Sequence, residues 1–399
     1  MRRNIHVMIG PLVILLAGCG PRMGQRDVET LVAEAKQKFA PDRRTTVFDI
    51  APELSGTMLT LRGEIHTASL KEELLRFLRE RSSYTLVDSL LVLPDPALGP
   101  RTFGVVSLSV ANIRTDPDHG AEMGTQATLG TPVRVLKKRR GWSYVQTPDE
   151  YLGWTDDNIE RLSRDAYRAW SERPKIIVTT PYAWVRESTR QDAQPVSDVV
   201  AGSILALRKT GRMHFEVEYP DGRTGFLPKR EAELLDAWLA RTHDTPATVV
   251  ATAKSLMGVP YLWGGTSAKG MDCSGFTKTV YYLNGVLLPR DANQQAAVGE
   301  PIDVPDGPIN LLAGDLLFFG ARATAQKPER VTHVAISLGG ARFIHASGEV
   351  SMNSLDPADT DFSDFRSEGF LRARRVIGAA EMSGIRRLAS IPYYRTNEP

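Results

Sequence analysis

The spacing of apolar positions changes along the chain, and each change predicts a boundary. Thr57–Arg62 alternates, Leu70–Glu80 has helical spacing and Tyr84–Leu93 is rich in β-formers. Thr45–Leu93 therefore reads as strand, strand, helix, strand, a small α+β module over residues 41–100. Residues 19–40 before it read as a tether ending in a short helix. Short alternating runs follow at Gly104–Ile113, Pro132–Lys137, Trp142–Gln146 and Tyr151–Thr155, with turns rich in Gly, Asp and Pro. This is the pattern of a small antiparallel barrel, bounded here at 101–165. The style repeats over 172–230, in Ile176–Thr179, Ala183–Glu187, Gly202–Leu207, Met213–Tyr219 and Thr224–Pro228. A helical linker over 231–245 leads to residues 246–378. There a helix at Ala247–Met257 precedes strands at Asp315–Phe319, Val331–Leu338, Arg342–Ala346 and Phe370–Val376. Helix first and strands after is an α+β arrangement. Residues 379–399 show no pattern and read as a tail.

Composition adds little to this multidomain α+β picture. The 399 residues are 42% apolar and 24% charged, enough for several cores. The start matters more. Arg2 and Arg3 precede a short apolar run, Val7–Leu16, which is too short to cross a membrane. Leu16-Ala17-Gly18-Cys19 follows, so residues 1–18 are expected to be a lipoprotein signal, with Cys19 the lipidated N-terminus. Gly20 rather than Asp follows Cys19, which resembles Gram-negative lipoproteins of the outer membrane, facing the periplasm. Losing Arg2 and Arg3 brings the 49 basic residues level with the 47 acidic ones. A balanced charge gives no footprint for nucleic acid, and the lipid anchor is the expected contact with the membrane.

Only two cysteines occur, and with Cys19 acylated Cys273 has no partner. An unpaired thiol in an oxidising compartment is kept for its chemistry. Cys273 opens a helical pattern in which Phe276, Val280 and Leu283 share a face and Asn284-Gly285 supplies a stop. A thiol attacks as the thiolate, so a helix N-terminus and an imidazole are expected to lower its pKa. Of seven histidines only His333 and His345 follow Cys273, both in strands. A three-residue loop, Gly339–Ala341, would pair Leu338 with Arg342 and Ala335 with His345, putting both imidazoles on one face. His333 is then the base, and His345 orients it. One cysteine and two separated histidines form no local ligand pair, so neither metal nor cofactor is expected.

These residues sit in an ordered set of motifs: Tyr261-x-Trp-Gly-Gly, Asp272-Cys273-Ser274-Gly275-Phe276, Gly314-Asp315-Leu-Leu-Phe-Phe319, His333-Val-Ala-Ile and Phe343-Ile-His345-Ala346. The set resembles the NlpC-type papain-like cell-wall cysteine peptidases, across nearly all of 246–378. That resemblance implies a cysteine-bearing helix packed on an antiparallel sheet that carries both histidines. It also implies hydrolysis of peptidoglycan stem peptides between γ-D-glutamate and an L-diamino acid. The two barrels resemble bacterial SH3-like domains. Ala111–Arg114, Ala121–Gln126 and Asp149–Trp154 resemble the first such domain of the γ-D-glutamyl-L-diamino acid endopeptidases, where it walls the cleft. In that subgroup the substrate is a short peptide with a free N-terminal L-alanine. By this resemblance Glu122 and Asp291 bind the amine, and Tyr151 and Tyr261 line the pocket. Asp272, Ser274 and Arg290 contact the D-glutamate and its α-carboxylate. Ala292 stands where the subgroup often has Ser, which removes one polar contact. Two rival functions remain at this point: an endopeptidase on intact peptidoglycan, and a non-catalytic peptidoglycan-binding lipoprotein.

Overall fold

The computed structural model describes residues 24–156, 158–304, 310–379, 382 and 384–394. The signal and Cys19 lie outside the described residues. No described helix is long and apolar enough to cross a membrane. The chain divides into two compact units, one of residues 1–43 and 47–92, the other of residues 44–46 and 93–399.

In the first unit, Phe48–Ser55 pairs antiparallel with Met58–Ile65, which pairs parallel with Thr85–Val92. A parallel pair needs a crossover, and the Ala68–Arg81 helix supplies it. Thr67 caps that helix, accepting the Leu70 N–H at 3.1 Å. Leu70, Leu74 and Leu78 bury against Leu59, Leu61 and Ile65. The expected tether is a correction. Gln25–Phe39 is a regular helix, and its Val28, Leu31, Val32 and Ala35 belong to the same core. Their i, i+3, i+4, i+7 spacing is that of a buried helix face.

The second unit holds both barrels and the last domain. Each barrel has seven strands among the described residues. Val106, Ile113, Val133, Val135 and Val145 fill the first, and Val185, Val199, Leu205, Val217 and Leu227 the second. The second barrel runs past its expected end, because Ala232–Leu234 pairs with Ile176–Val178 before the linker helix Leu235–Arg241 begins. The last domain sets the Cys273–Tyr282 helix on a six-stranded antiparallel sheet. Phe276 and Val280 from the helix bury with Phe318, Val334, Ile336 and Ile344 from the sheet. In the hairpin that carries both histidines, Ile336 faces Ile344 and Ser337 faces Phe343, the expected register. The loop itself differs. Gly339 pairs with Arg342, leaving a two-residue turn, and a bulge at Leu338 supplies the odd residue instead.

The C-terminal segment is not a tail. Arg386–Arg387 pairs with Val286–Leu287, and Leu388, Ile391, Tyr393 and Tyr394 are buried. The Tyr393 hydroxyl donates to the Gly130 carbonyl at 2.7 Å and accepts from Trp170 Nε1 at 3.1 Å. It joins the first barrel to the helix that follows it. Tyr393→Phe strands two buried partners and should lower unfolding free energy by about 1–3 kcal/mol in denaturant titration. Tyr393→Ala, which adds a cavity, should cost about 3–5 kcal/mol.

Candidate active site

Asp272 ends the extended segment before Cys273 and caps its helix. Its Oδ1 accepts the Gly275 N–H at 2.7 Å, and its Oδ2 accepts the Gly264 N–H at 2.9 Å. Gly275 is required by close approach, since a Cβ there would lie 2.0 Å from the Gly265 carbonyl oxygen. Arg290 grips the same carboxylate in a fork, Nη2 to Oδ2 at 2.6 Å and Nη1 to Oδ1 at 3.1 Å. Its Nη1 also reaches Ser274 Oγ at 2.9 Å, and its Nε reaches Thr125 Oγ1 in the first barrel at 3.0 Å. This corrects the expectation that Arg290 forks a substrate carboxylate. Arg290 is 1% exposed, and its fork is filled by Asp272. Asp272 and Ser274 likewise spend their polar atoms on Arg290 and the helix start.

The imidazoles share a face with Phe319 and Phe343, whose rings lie 5.8 Å from His333 and 5.1 Å from His345. His333 Nε2 lies 2.7 Å from His345 Nδ1, and His345 Nε2 lies 2.9 Å from Asn353 Oδ1. Asn353 Nδ2 donates to the Asp361 carbonyl at 3.2 Å, which aims Oδ1 at His345. The protons follow in sequence. His345 carries one on Nε2 and accepts at Nδ1, so His333 carries its own on Nε2. The Nδ1 of His333 is left bare, as a base needs. Cys273 sulfur receives backbone N–H groups from Ser274 and from Val334, the residue after His333.

Burial sets the charges. Cys273 is 7% exposed, and burial, then the Asp272 carboxylate, pushes its thiol up to about 11. The Arg290 charge and the two N–H groups pull the other way without prevailing. The expected lowered thiol is therefore not found in the resting site. Burial, the Arg366 charge and His345 hold His333 well below the usual histidine range. Burial and Arg366 hold His345 down at about 4. Both shifts favour the neutral thiol and the neutral imidazole in the resting site.

The first barrel lies along this site. Its Gln126 Oε1 accepts the Thr266 N–H at 3.0 Å, and Trp263 Nε1 donates to its Glu122 at 2.9 Å. At Gly264, φ is +78° and a Cβ would lie 2.2 Å from the Met123 carbonyl oxygen, so only glycine lets the two meet. Tyr151 donates to Asp291 Oδ2 at 3.3 Å. Arg44 donates to the same oxygen at 2.7 Å and to Asn293 Oδ1 at 2.9 Å. Arg44 is fixed in turn, its carbonyl accepting the Leu152 N–H at 2.7 Å. Tyr261 is half-buried, and burial and the nearby Cys273 raise its hydroxyl to about 12. Thus Cys273, His333, His345, Asp272, Ser274, Arg290 and Tyr261 gather in one place. Asp291 and Tyr151 meet directly, while Glu122 is tied to Trp263. Sequence reasoning missed Asn353, Arg44 and Arg366. Asn353 had a signal, being the residue opposite Phe343 on the neighbouring strand and of the same parity as His345. Among the described residues no group of three or more His, Cys, Asp or Glu side chains is placed to hold a metal.

A thiol heading a helix, with a base and an orienting residue on an antiparallel sheet, defines a papain-like thiol hydrolase. Residues 258–363 match the NlpC/P60 family, and residues 113–158 match the bacterial dipeptidyl-peptidase Sh3 domain. The chain is 29% identical over 265 residues to dipeptidyl-peptidase 6 of Lysinibacillus sphaericus, covering 63% of this chain and 91% of that one. It is 31% identical over 251 residues to the γ-D-glutamyl-L-lysine dipeptidyl-peptidase of Bacillus cereus, covering 60% and 72%. The crystal structure of a NlpC/P60 family protein from Bacillus cereus shares the fold, with a TM-score of 0.58 at 24% identity, over 69% of this chain and 99% of that one. The chain belongs to the NlpC/P60 family and is a cysteine peptidase.

Two outcomes test the proton arrangement. Alkylation of Cys273 by iodoacetamide should rise about tenfold per pH unit between about pH 6 and pH 9. A plateau at or below neutral pH would reveal a preformed thiolate instead. Asn353→Ala releases the His345 tautomer and should lower kcat about 10- to 100-fold with little change in KM. Asn353→Asp keeps an acceptor there and should recover most of the rate.

Proposed function

We propose that this peptidase hydrolyses the amide between γ-D-glutamate and an L-diamino acid in short peptidoglycan stem peptides with a free N-terminal L-alanine. The observation that carries this reading is the contact of Tyr151 and Asp291, which brings a barrel side chain onto the carboxylate at the start of the Asp291–Gln295 segment. A barrel fixed against the cleft supports a short substrate over an intact wall. The name of the γ-D-glutamyl-L-lysine dipeptidyl-peptidase relative supports the same bond.

The chemistry uses groups already in place. As the scissile carbonyl approaches, Cys273 sulfur attacks its carbon and the thiol proton passes to His333 Nδ1. The Cys273 N–H, in the helix's first turn, has no acceptor within the helix and is the candidate donor to the developing oxyanion. His333 then protonates the departing amine, leaving a thioester on Cys273. Water, losing a proton to His333, attacks the thioester and restores the thiol. Glu122 and Asp291 face the substrate amine on this reading, with Tyr151 and Tyr261 as walls. Arg290 acts through Asp272 and Ser274, as a positioning residue.

We also place the protein on the periplasmic face of the outer membrane, anchored through Cys19. The Leu16–Cys19 motif and Gly20 support this. Cys19→Ser should move the protein from the membrane to the soluble fraction, and persistence of membrane attachment would refute the anchor.

The cleavage is tested with L-Ala-γ-D-Glu-L-Lys, its N-acetyl form and whole sacculi, with products read by mass. The free peptide should be cut between Glu and Lys, and Cys273→Ala should abolish the product. Glu122→Ala should reduce cutting of the free-amine peptide at least about tenfold while sparing the N-acetyl form. Equal loss on both peptides would remove the amine pocket, and preferential release from sacculi would favour the intact wall.

A further inference from the structure

Arg366 stands in the short helix Asp364–Glu368, beyond every motif used above. Its Nη2 donates to Ser347 Oγ at 3.2 Å, two residues after His345. Its guanidinium lies 5.8 Å from the Phe319 ring, the same ring that packs against His333. Gly348, next to Ser347, accepts the Tyr261 N–H at 2.7 Å. The cation therefore touches Ser347 and the Phe319 ring, and its field reaches Cys273, Tyr261 and both histidines.

Its pairing differs from that of several arginines in this domain. Arg342 pairs with Asp361 and Arg375 with Asp315, while Arg372 is joined to Glu329. Arg366 is half-buried, yet among the described residues no carboxylate reaches it. A partly desolvated guanidinium with one hydroxyl acceptor is ready for an anion, and carboxylate matches its planar fork. Position narrows the choice. Arg290, Asp291 and Tyr151 share contacts among themselves and with the first barrel, on the side given above to the L-Ala-γ-D-Glu portion. Arg366 has no described contact with any of them. Its neighbours are the base and its partner.

We propose that Arg366 binds a carboxylate carried by the departing diamino acid, which makes it a specificity residue on the leaving side of the cleft. The proposal rests on the cleavage proposed above. Two carboxylates have this chemistry: the α-carboxylate of a diamino acid ending the peptide, and the side-chain carboxylate of a diaminopimelate. Burial first and the field of Arg366 second hold both histidines low, and a bound carboxylate offsets that field. The base then gains proton affinity when a substrate with the right charge is in place.

The test compares kcat/KM for L-Ala-γ-D-Glu-L-Lys, its C-terminal amide, and the meso-diaminopimelate peptide amidated at its α-carboxyl. Wild type should prefer the lysine acid over the lysine amide, or the diaminopimelate amide over the lysine amide, by about 10- to 100-fold. The first preference identifies the α-carboxylate as the ligand, the second the side-chain carboxylate. Arg366→Gln should erase the preference, and Arg366→Lys should restore part of it. Because the readout is a ratio within one variant, an effect of the substitution on the histidines or on folding cancels. No preference in wild type, or a preference that survives in Arg366→Gln, overturns the role of Arg366 while leaving the cleavage standing. Failure of wild type to cut any of the three peptides overturns both.

Discussion

The site depends on one buried ion pair, that of Arg290 and Asp272. Neither charge is favourable to bury alone, and removing one member of such a pair costs about 3–5 kcal/mol. The compensation is geometric. Asp272 caps the catalytic helix and holds the Gly264 loop with its two oxygens, while Arg290 takes Ser274 and Thr125 as well. One guanidinium thereby locks the helix start, the loop beside the nucleophile and a strand of the first barrel into a single arrangement. Lysine could not replace it, because a point charge has no fork to satisfy four partners in a plane.

The same pair acts on the sulfur. Burial raises the thiol most, the capping carboxylate raises it further, and the arginine partner pulls it down by less than the carboxylate pushes. A buried thiol and two buried imidazoles are all least costly when neutral. The resting site thus stores no separated charge, and the direction of proton flow is fixed by bonding instead. Asn353 orders the protons on both rings from the far end, in the manner of the third member of other triads. Neutrality at rest also protects the thiol from oxidation, since oxidants attack the thiolate.

Much of this was legible in the sequence because the relevant contacts are local or periodic. Asp272, Cys273, Ser274 and Gly275 are consecutive, and the face shared by His333 and His345 follows from strand parity. The hairpin reached the expected register by a different device, a bulge at Leu338 rather than a longer turn, since both add one residue and parity cannot tell them apart. The misses have a common cause. Arg44 meets Asp291 across 247 residues of chain, and Tyr393 meets Gly130 across 263. No spacing rule reaches that far. Gln25–Phe39 had a readable apolar stripe, but an amphipathic helix close behind an expected leader is easily taken for part of a tether. The C-terminal segment gave no pattern because it is anchored by aromatic side chains one by one, without a repeating face.

Arg44 gives the proposed amine pocket a further property. Asp291 Oδ2 already accepts from Arg44 and Tyr151. A carboxylate offers about four lone-pair directions, so an ammonium can join the cluster at the other oxygen. Arg44 carries the same charge as that ammonium and stands on the same carboxylate. Glu122 is bonded to a neutral indole and has no cationic partner among the described residues. Glu122, Asp291 and Arg44 together sum to one formal negative charge, which on the proposed reading a single ammonium would neutralise and an acylated amine would not. An uncompensated charge in a closing pocket is costly, and a pocket lacking Arg44 would hold two. If the proposed amine pocket holds, Arg44 would tune it to one positive charge, so that discrimination against acylated peptides would come from charge balance as well as from the barrel wall.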